Sequence, residues 1–128
     1  MAAKKPITSK AKILKIIEFI LDRKAKDIVV LDLRETSGFC DYFIICSGES
    51  MRQVKAIYEE TVKLCKKNKI KVRSHQDDQS CRWILVDLSD VILHIFFEEA
   101  RKFYDLEYLW SSAKKVKIKN FPKLQLKI

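Results

Sequence analysis

Apolar residues recur along this chain with two periods, and the changes of period mark its elements. From Ser9 to Lys24 they fall at Ile13, Ile16, Ile17, Ile20 and Leu21, the spacing of one helix face, and Ser9 has N-cap chemistry. Asp27–Arg34 (DIVVLDLR) is a β-branched run and predicts a strand. Ser37-Gly38 turns the chain, and Asp41–Ser47 (DYFIICS) predicts a second strand. Gly48 to Gln53 is a sharp strand-to-helix junction, with Ser50 and Gln53 at capping-box spacing. Val54, Ile57, Tyr58, Thr61, Val62 and Cys65 then line one side of a helix that fades at Lys66–Lys69. Ile70–Arg73 predicts a short strand, and Ser74–Ser80 a polar loop with a solvated His75.

Two further apolar runs, Arg82–Leu88 and Val91–Phe97, flank Ser89-Asp90 and read as a hairpin. With a two-residue turn, Leu88 faces Val91, Val86 faces Leu93 and Ile84 faces Ile95, giving a wholly aliphatic face. The opposite face pairs Asp87 with Ile92, Leu85 with His94 and Trp83 with Phe96. That mixture suits a surface that meets a partner. It equally suits a core covered by the last helix, with His94 hydrogen-bonded inside it.

A helical segment carrying Phe103, Tyr104, Tyr108 and Trp110 follows. The alternation of Lys115, Lys117 and Lys119 with Val116 and Ile118 permits a strand in the tail, and a flexible arm is the alternative. The order α-β-β-α-β-β-β-α predicts one α/β domain, a mixed sheet of about five strands with flanking helices. Its parts are a basic lead (1–8), a folded body (9–113) and a lysine-rich tail (114–128).

Composition narrows the class. At 128 residues, 48% apolar and 34% charged, the chain is expected to form one soluble domain. No apolar run reaches the ~20 residues of a membrane-spanning helix. The start, MAAKKPITSK, lacks a secretory apolar stretch, so a cytoplasmic location is expected. Cys40, Cys46, Cys65 and Cys81 are scattered, and with two histidines they show no zinc spacing; reduced thiols and no metal are expected. The net charge of +9 is uneven: residues 1–26 carry +6, residues 114–128 carry +6, and the middle carries −3. Basic ends attract phosphate backbone, and an acidic body suits a basic protein. Solubility alone would also explain lysine-rich ends.

Catalysis finds little support. Asp32 reads as a strand-end charge. Cys81 or Ser89 with His94 lacks an elbow motif. Gly48 and Ser50 before a helix, with Asp87 and Asp90 around a hairpin, have the outline of a nucleotidyltransferase, but the acidic pair alternating on one strand is missing. Neither an enzyme nor a cofactor is expected.

The strand Ala25–Leu33, the motif of Asp41-Tyr42-Phe43-Ile44-Ile45 with Gly48, Ser50, Arg52 and Gln53, the set Trp83, Leu85, Asp87, Asp90, His94 and Phe96, and the set Arg101, Tyr104, Leu106, Glu107, Leu109 and Trp110 together resemble the ribosomal silencing factor family, also called Iojap-like. The resemblance covers about residues 10–113 in order. It implies a nucleotidyltransferase-like fold without catalytic acids, a homodimer when free, and binding to protein fourteen of the large ribosomal subunit. The bound factor would then block joining with the small subunit. Two departures stand out. Ser89 replaces a glycine usual in the hairpin turn, which puts the turn type in question. A glycine usual before Trp83 is absent.

On this reading the partner-binding residues are Trp83, Asp87, Asp90, His94, Arg101, Tyr104, Glu107 and Trp110. Asp41, Tyr42, Gly48, Ser50, Arg52 and Gln53 support the fold or a dimer. The lysine-rich ends are candidates for ribosomal RNA contact. The competing readings are a nucleotidyltransferase-like enzyme acting on nucleotide or RNA and a general RNA-binding module.

Overall fold

Thr8, one residue before the predicted cap, starts the first helix. In the computed structural model α1 spans Ser9–Asp22, and the Thr8 hydroxyl accepts the Ala11 N–H at 3.2 Å. Ser9 is already the first helical residue, and its hydroxyl donates to the Asp90 carboxylate. α2 spans Met51–Lys67 and is capped as expected, with Ser50 Oγ accepting the Gln53 N–H at 3.1 Å. The reciprocal half of the box is altered. Gln53 Oε1 accepts from Glu49 N–H rather than from the cap itself, and Gln53 Nε2 donates to the carbonyls of Arg23 and Lys24. Gln53 thus ties the start of α2 to the end of α1. Residues 7–36, 38, 40–77 and 80–117 are described. The lead up to residue 6, Ser37 of the predicted turn, Asp78 of the polar loop, and the tail from residue 118 lie outside them.

Both long helices close with a Schellman motif. Ala25 N–H donates to Ile20 O and Lys24 N–H to Leu21 O; Ile70 N–H donates to Cys65 O and Lys69 N–H to Lys66 O. A lysine occupies the left-handed position each time, Lys24 at φ 62° and Lys69 at φ 58°. The second motif explains a correction. Ile70 is buried as the apolar residue that seals the helix end, so the strand predicted over Ile70–Arg73 begins instead at Ser74, inside the predicted loop.

The strands are β1 (Lys26–Asp32), β2 (Tyr42–Gly48), β3 (Ser74–Asp77), β4 (Trp83–Asp87), β5 (Val91–Phe97) and β6 (Lys114–Val116). They form one mixed sheet of order β3-β4-β5-β2-β1-β6, six strands where about five were expected. The sixth comes from the lysine-rich tail and pairs with β1. The central β2–β5 pair is parallel and its neighbours antiparallel. β2 is buried along its whole length, which explains its unbroken apolar run. After β5 come α3 (Glu98–Tyr104) and α4 (Leu106–Leu109), separated by Asp105 at φ 45°.

The hairpin register is the one predicted: Trp83↔Phe96, Ile84↔Ile95, Leu85↔His94, Val86↔Leu93 and Asp87↔Ile92. Ser89 takes the glycine-favouring conformation, φ 80°, and its N–H donates to Asp87 Oδ1 at 2.8 Å. The aliphatic face packs under α1 and α2. The mixed face contributes to a second core with Leu31, Leu33, Phe43, Ile45, Ala100 and Leu106. His94 and Phe96 lie within it, so the covered alternative holds at the centre of that face.

Left-handed backbone costs an L-residue roughly 1 kcal/mol relative to glycine after glycine's own entropy is counted. Lys69→Gly should therefore raise the melting temperature by about 2–4 °C, read by thermal unfolding; no gain would mean that Lys69 makes a compensating contact.

Candidate functional site

A ring stack runs across the second face of the sheet. Trp83 packs on Phe96 with centroids 4.9 Å apart and on Tyr104 at 4.9 Å. Phe43 meets the edge of His94 at 4.5 Å and of Trp110 at 5.5 Å. The stack links β4, β5 and β2 to α3 and to the turn after α4.

His94 is its polar centre. The Trp83 indole N–H donates to His94 Nδ1 at 3.1 Å. An indole can only donate, so Nδ1 must be unprotonated and the ring proton sits on Nε2. Nε2 is buried without a hydrogen-bond partner among the described residues. Burial drives the His94 pKa down to about 3, so the ring stays neutral.

Arg101 fastens the outer layer. Its Nε donates to Glu107 Oε1 at 2.8 Å, and one terminal nitrogen donates to Asp27 O at 2.6 Å and to Ser47 Oγ at 2.8 Å. One guanidinium thereby joins α3, α4, the start of β1 and the end of β2. Beside it lies an open groove of about 620 Å³, lined by Asp27, Glu98, Glu99, Asp105 and Glu107 against Arg101 and Lys102. With Arg101 paired to Glu107, the groove is acidic.

Four large apolar side chains of this layer are exposed. Phe103 is 79% exposed, Tyr108 74%, Leu109 71% and Tyr104 43%. Of these four, only Tyr104 was among the residues assigned to binding from sequence. The others carried a signal, three large apolar side chains within a heavily charged segment. Trp83 and Trp110 are half-buried at the edge of the patch.

Asp87 and Asp90 sit elsewhere, around the hairpin turn. Lys12 Nζ donates to Asp90 Oδ1 at 2.5 Å and to Leu88 O at 3.0 Å, and Ser9 Oγ donates to Asp90 Oδ2. Burial pushes the Asp90 carboxyl up, but Lys12 and Ser9 together outweigh it and hold the pKa below the ordinary value. The Asp90 carbonyl accepts the N–H groups of Asp41 and Tyr42, anchoring the start of β2 to the turn. Arg34 lies over the buried Tyr42 ring at 5.4 Å. Lys12, a buried cation on the apolar side of α1, is the partner that sequence reading missed.

The nucleotidyltransferase layout does not assemble. Gly48 pairs with Phe97 at one end of the parallel strands, while Tyr42 and Val91, next to Asp90, lie at the other. Six residues of strand separate them, roughly 20 Å. Gly48 serves packing: a Cβ there would lie 3.0 Å from the Val54 side chain. Ser50 and Gln53 are caps, and Arg52 is exposed. Among the described residues no cluster of His, Cys, Asp and Glu could hold a metal ion, and no helix is long and apolar enough to cross a membrane. The cysteines are free, and burial pushes the Cys46 thiol up to about 12.

Residues 6–127 match the family described as ribosomal silencing factor during starvation. The chain belongs to the ribosomal silencing factor family. The match runs past Ala113 through most of the lysine-rich tail. The chain is 42% identical over 92 residues to the Bacillus subtilis ribosomal silencing factor, covering 72% of this chain and 78% of that one. It is 30% identical to a mouse protein named mitochondrial assembly of ribosomal large subunit protein 1, covering 75% of this chain and 43% of that one. A crystal structure of a Bacillus halodurans protein superposes with a TM-score of 0.74 at 33% identity, covering 86% of this chain and 99% of that one. These matches make it a member of a ribosome-associated silencing family on a shared α/β fold.

In this family member the neutral His94 gives a pH signature. The unfolded histidine titrates near 6.5, the folded one near 3. Below pH 6.5 the unfolded chain binds the extra proton, so stability falls as pH falls, by about 1.4 kcal/mol per unit from this group. His94→Asn keeps an acceptor for Trp83 and removes the titration. Denaturant unfolding from pH 7 to 5 should show a smaller stability loss in the variant, by roughly 2 kcal/mol; equal losses would place the acid sensitivity elsewhere.

Proposed function

We propose that this protein is a translational repressor that docks on protein fourteen of the large ribosomal subunit and sterically blocks joining with the small subunit. The observation that carries the docking surface is the exposed patch of Phe103, Tyr104, Tyr108 and Leu109. Contiguous apolar side chains left in water on a small domain mark protein interfaces. Aromatic residues at such a patch are the usual anchors. The mouse relative's name, with its large-subunit assembly, agrees with the side of the ribosome proposed.

The charge around the patch favours the same partner. The groove beside it is acidic even with Glu98 paired to Lys26 and Glu107 to Arg101, and its carboxylates would meet lysines and arginines of a basic ribosomal protein. Trp83 and Trp110 extend the apolar area from below, and Glu107, paired with Arg101, is the acid nearest the patch among the residues assigned to binding, while Asp87 lies at the hairpin turn away from it. His94, Arg101 and Asp90 act indirectly, by holding the ring stack, the α3–α4 layer and the hairpin turn. Exclusion needs no reacting group. When free, the protein is proposed to be a homodimer, which would cover apolar area in solution. It is expected to work in the cytoplasm, without a cofactor.

The test is binding to isolated protein fourteen of the large subunit. Tyr108→Ala and Leu109→Asp change side chains that are 74% and 71% exposed and should leave the melting temperature nearly unchanged. Each should weaken binding by about tenfold or more, as loss of an interface anchor does. Undiminished affinity in both folded variants would remove α3–α4 as the docking surface.

A further inference from the structure

The two basic ends of the chain meet at one edge of the sheet. β6 pairs with β1 so that Lys114 lies opposite Asp32, and Asp32 lies opposite Tyr42 on β2. These three therefore form a row across one face, the face covered by α1. Lys10, from the first turn of α1, borders the same row. Together they enclose a groove of about 250 Å³, lined by Lys10, Asp32, Arg34, Tyr42, Lys114 and Lys115 among others. The sequence places Lys10 and Lys114 at opposite ends of the chain; the fold brings them to one groove.

The groove is net positive. Arg34 grips Asp32 through two nitrogens, at 3.0 and 2.7 Å, and this pairing with Lys114 nearby holds the Asp32 carboxyl below its ordinary pKa. Asp32 and Arg34 thus cancel, leaving Lys10, Lys114 and Lys115. Among the described residues, Lys114 pairs with Glu35 at 3.7 Å, and both side chains are at least three-quarters exposed. Such a pair yields readily to a better anion.

We infer that this groove binds the phosphate backbone of RNA. A protein partner would want exposed apolar anchors, and among the described residues the groove has none. Tyr42 and Ile13 are buried beneath it, Val116 is half-buried, and the exposed large apolar residues of the described chain, Met51, Phe103, Tyr104, Tyr108 and Leu109, do not line it. Lysines spaced along an open groove suit a repeating phosphate, which is bound by charge without apolar contact. The groove lies at the β6 edge on the α1 face, and the aromatic patch belongs to the layer over the opposite face. RNA and a protein could therefore be held together, and RNA binding does not depend on the docking proposed above.

The test measures binding of a fluorescently labelled single-stranded oligouridylate to the full chain across a salt series. Lys10→Glu with Lys114→Glu is compared with Lys66→Glu plus Lys69→Glu, an equal charge change at the exposed end of α2. The groove variant should lose about tenfold in affinity, and its salt slope should fall by roughly 1.4 for two lost phosphate contacts. The α2 variant should stay within about threefold of wild type. Lys10→Gln with Lys114→Gln repeats the test without reversed charge, should the first variant unfold. Tyr108→Ala should bind RNA as wild type does. Equal loss in the groove and α2 variants would reduce the effect to bulk charge, and no loss in the groove variant would exclude the groove. Tighter groove-dependent binding of polyglutamate than of RNA would make the partner a protein. Each of these three outcomes overturns the proposal.

Discussion

One guanidinium holds the outer layer of this fold in place. α3 and α4 have seven and four residues, too short to be stable alone. They bury only Ala100 and Leu106. Arg101 supplies what their packing does not, by joining Glu107 of α4 to the Asp27 carbonyl and the Ser47 hydroxyl at the end of the sheet. The guanidinium is largely buried and its donors are spread over three partners, an arrangement in which Lys could not substitute. The exposed aromatics ride on this clamp. The proposed docking surface is thereby tied to the sheet below it through Asp27 and Ser47.

A second constraint works at the opposite end. Lys12 and Ser9 of α1 grip the Asp90 carboxylate, while the Asp90 carbonyl receives the start of β2. A residue in a two-residue turn therefore links α1, the hairpin and the central parallel pair. Ser89 can remain in a left-handed conformation because this neighbour is fixed and Asp87 accepts its N–H. The two ends of the sheet are thus specialised, one as a structural knot and the other as the support of the aromatic layer.

Much of this was legible in the sequence. The hairpin register followed from alternation once Ser89-Asp90 was taken as a two-residue turn, and the structure has that register. The first two strands, the caps at Ser50 and the family were legible too. What escaped depends on contacts distant in sequence. Ile70 looked like the start of a strand because a buried apolar residue closing a Schellman motif has the same local appearance. The Lys12–Asp90 pair spans 78 positions, and the meeting of Lys10 with Lys114 depends on a strand of three residues. His94 could be read either way, since burial beneath α3 is a property of the layer above it. Phe103, Tyr108 and Leu109 were not assigned to binding, because which side chains of the terminal segment stay exposed depends on how α3 and α4 sit on the sheet.

Where the protein binds decides what it does. The most direct measurement is co-sedimentation of the full chain with separated large and small ribosomal subunits at moderate salt. Association with the large subunit alone is the predicted result, because the proposed partner of the α3–α4 surface is a large-subunit protein. Equal association with both subunits, or with neither, would contradict it.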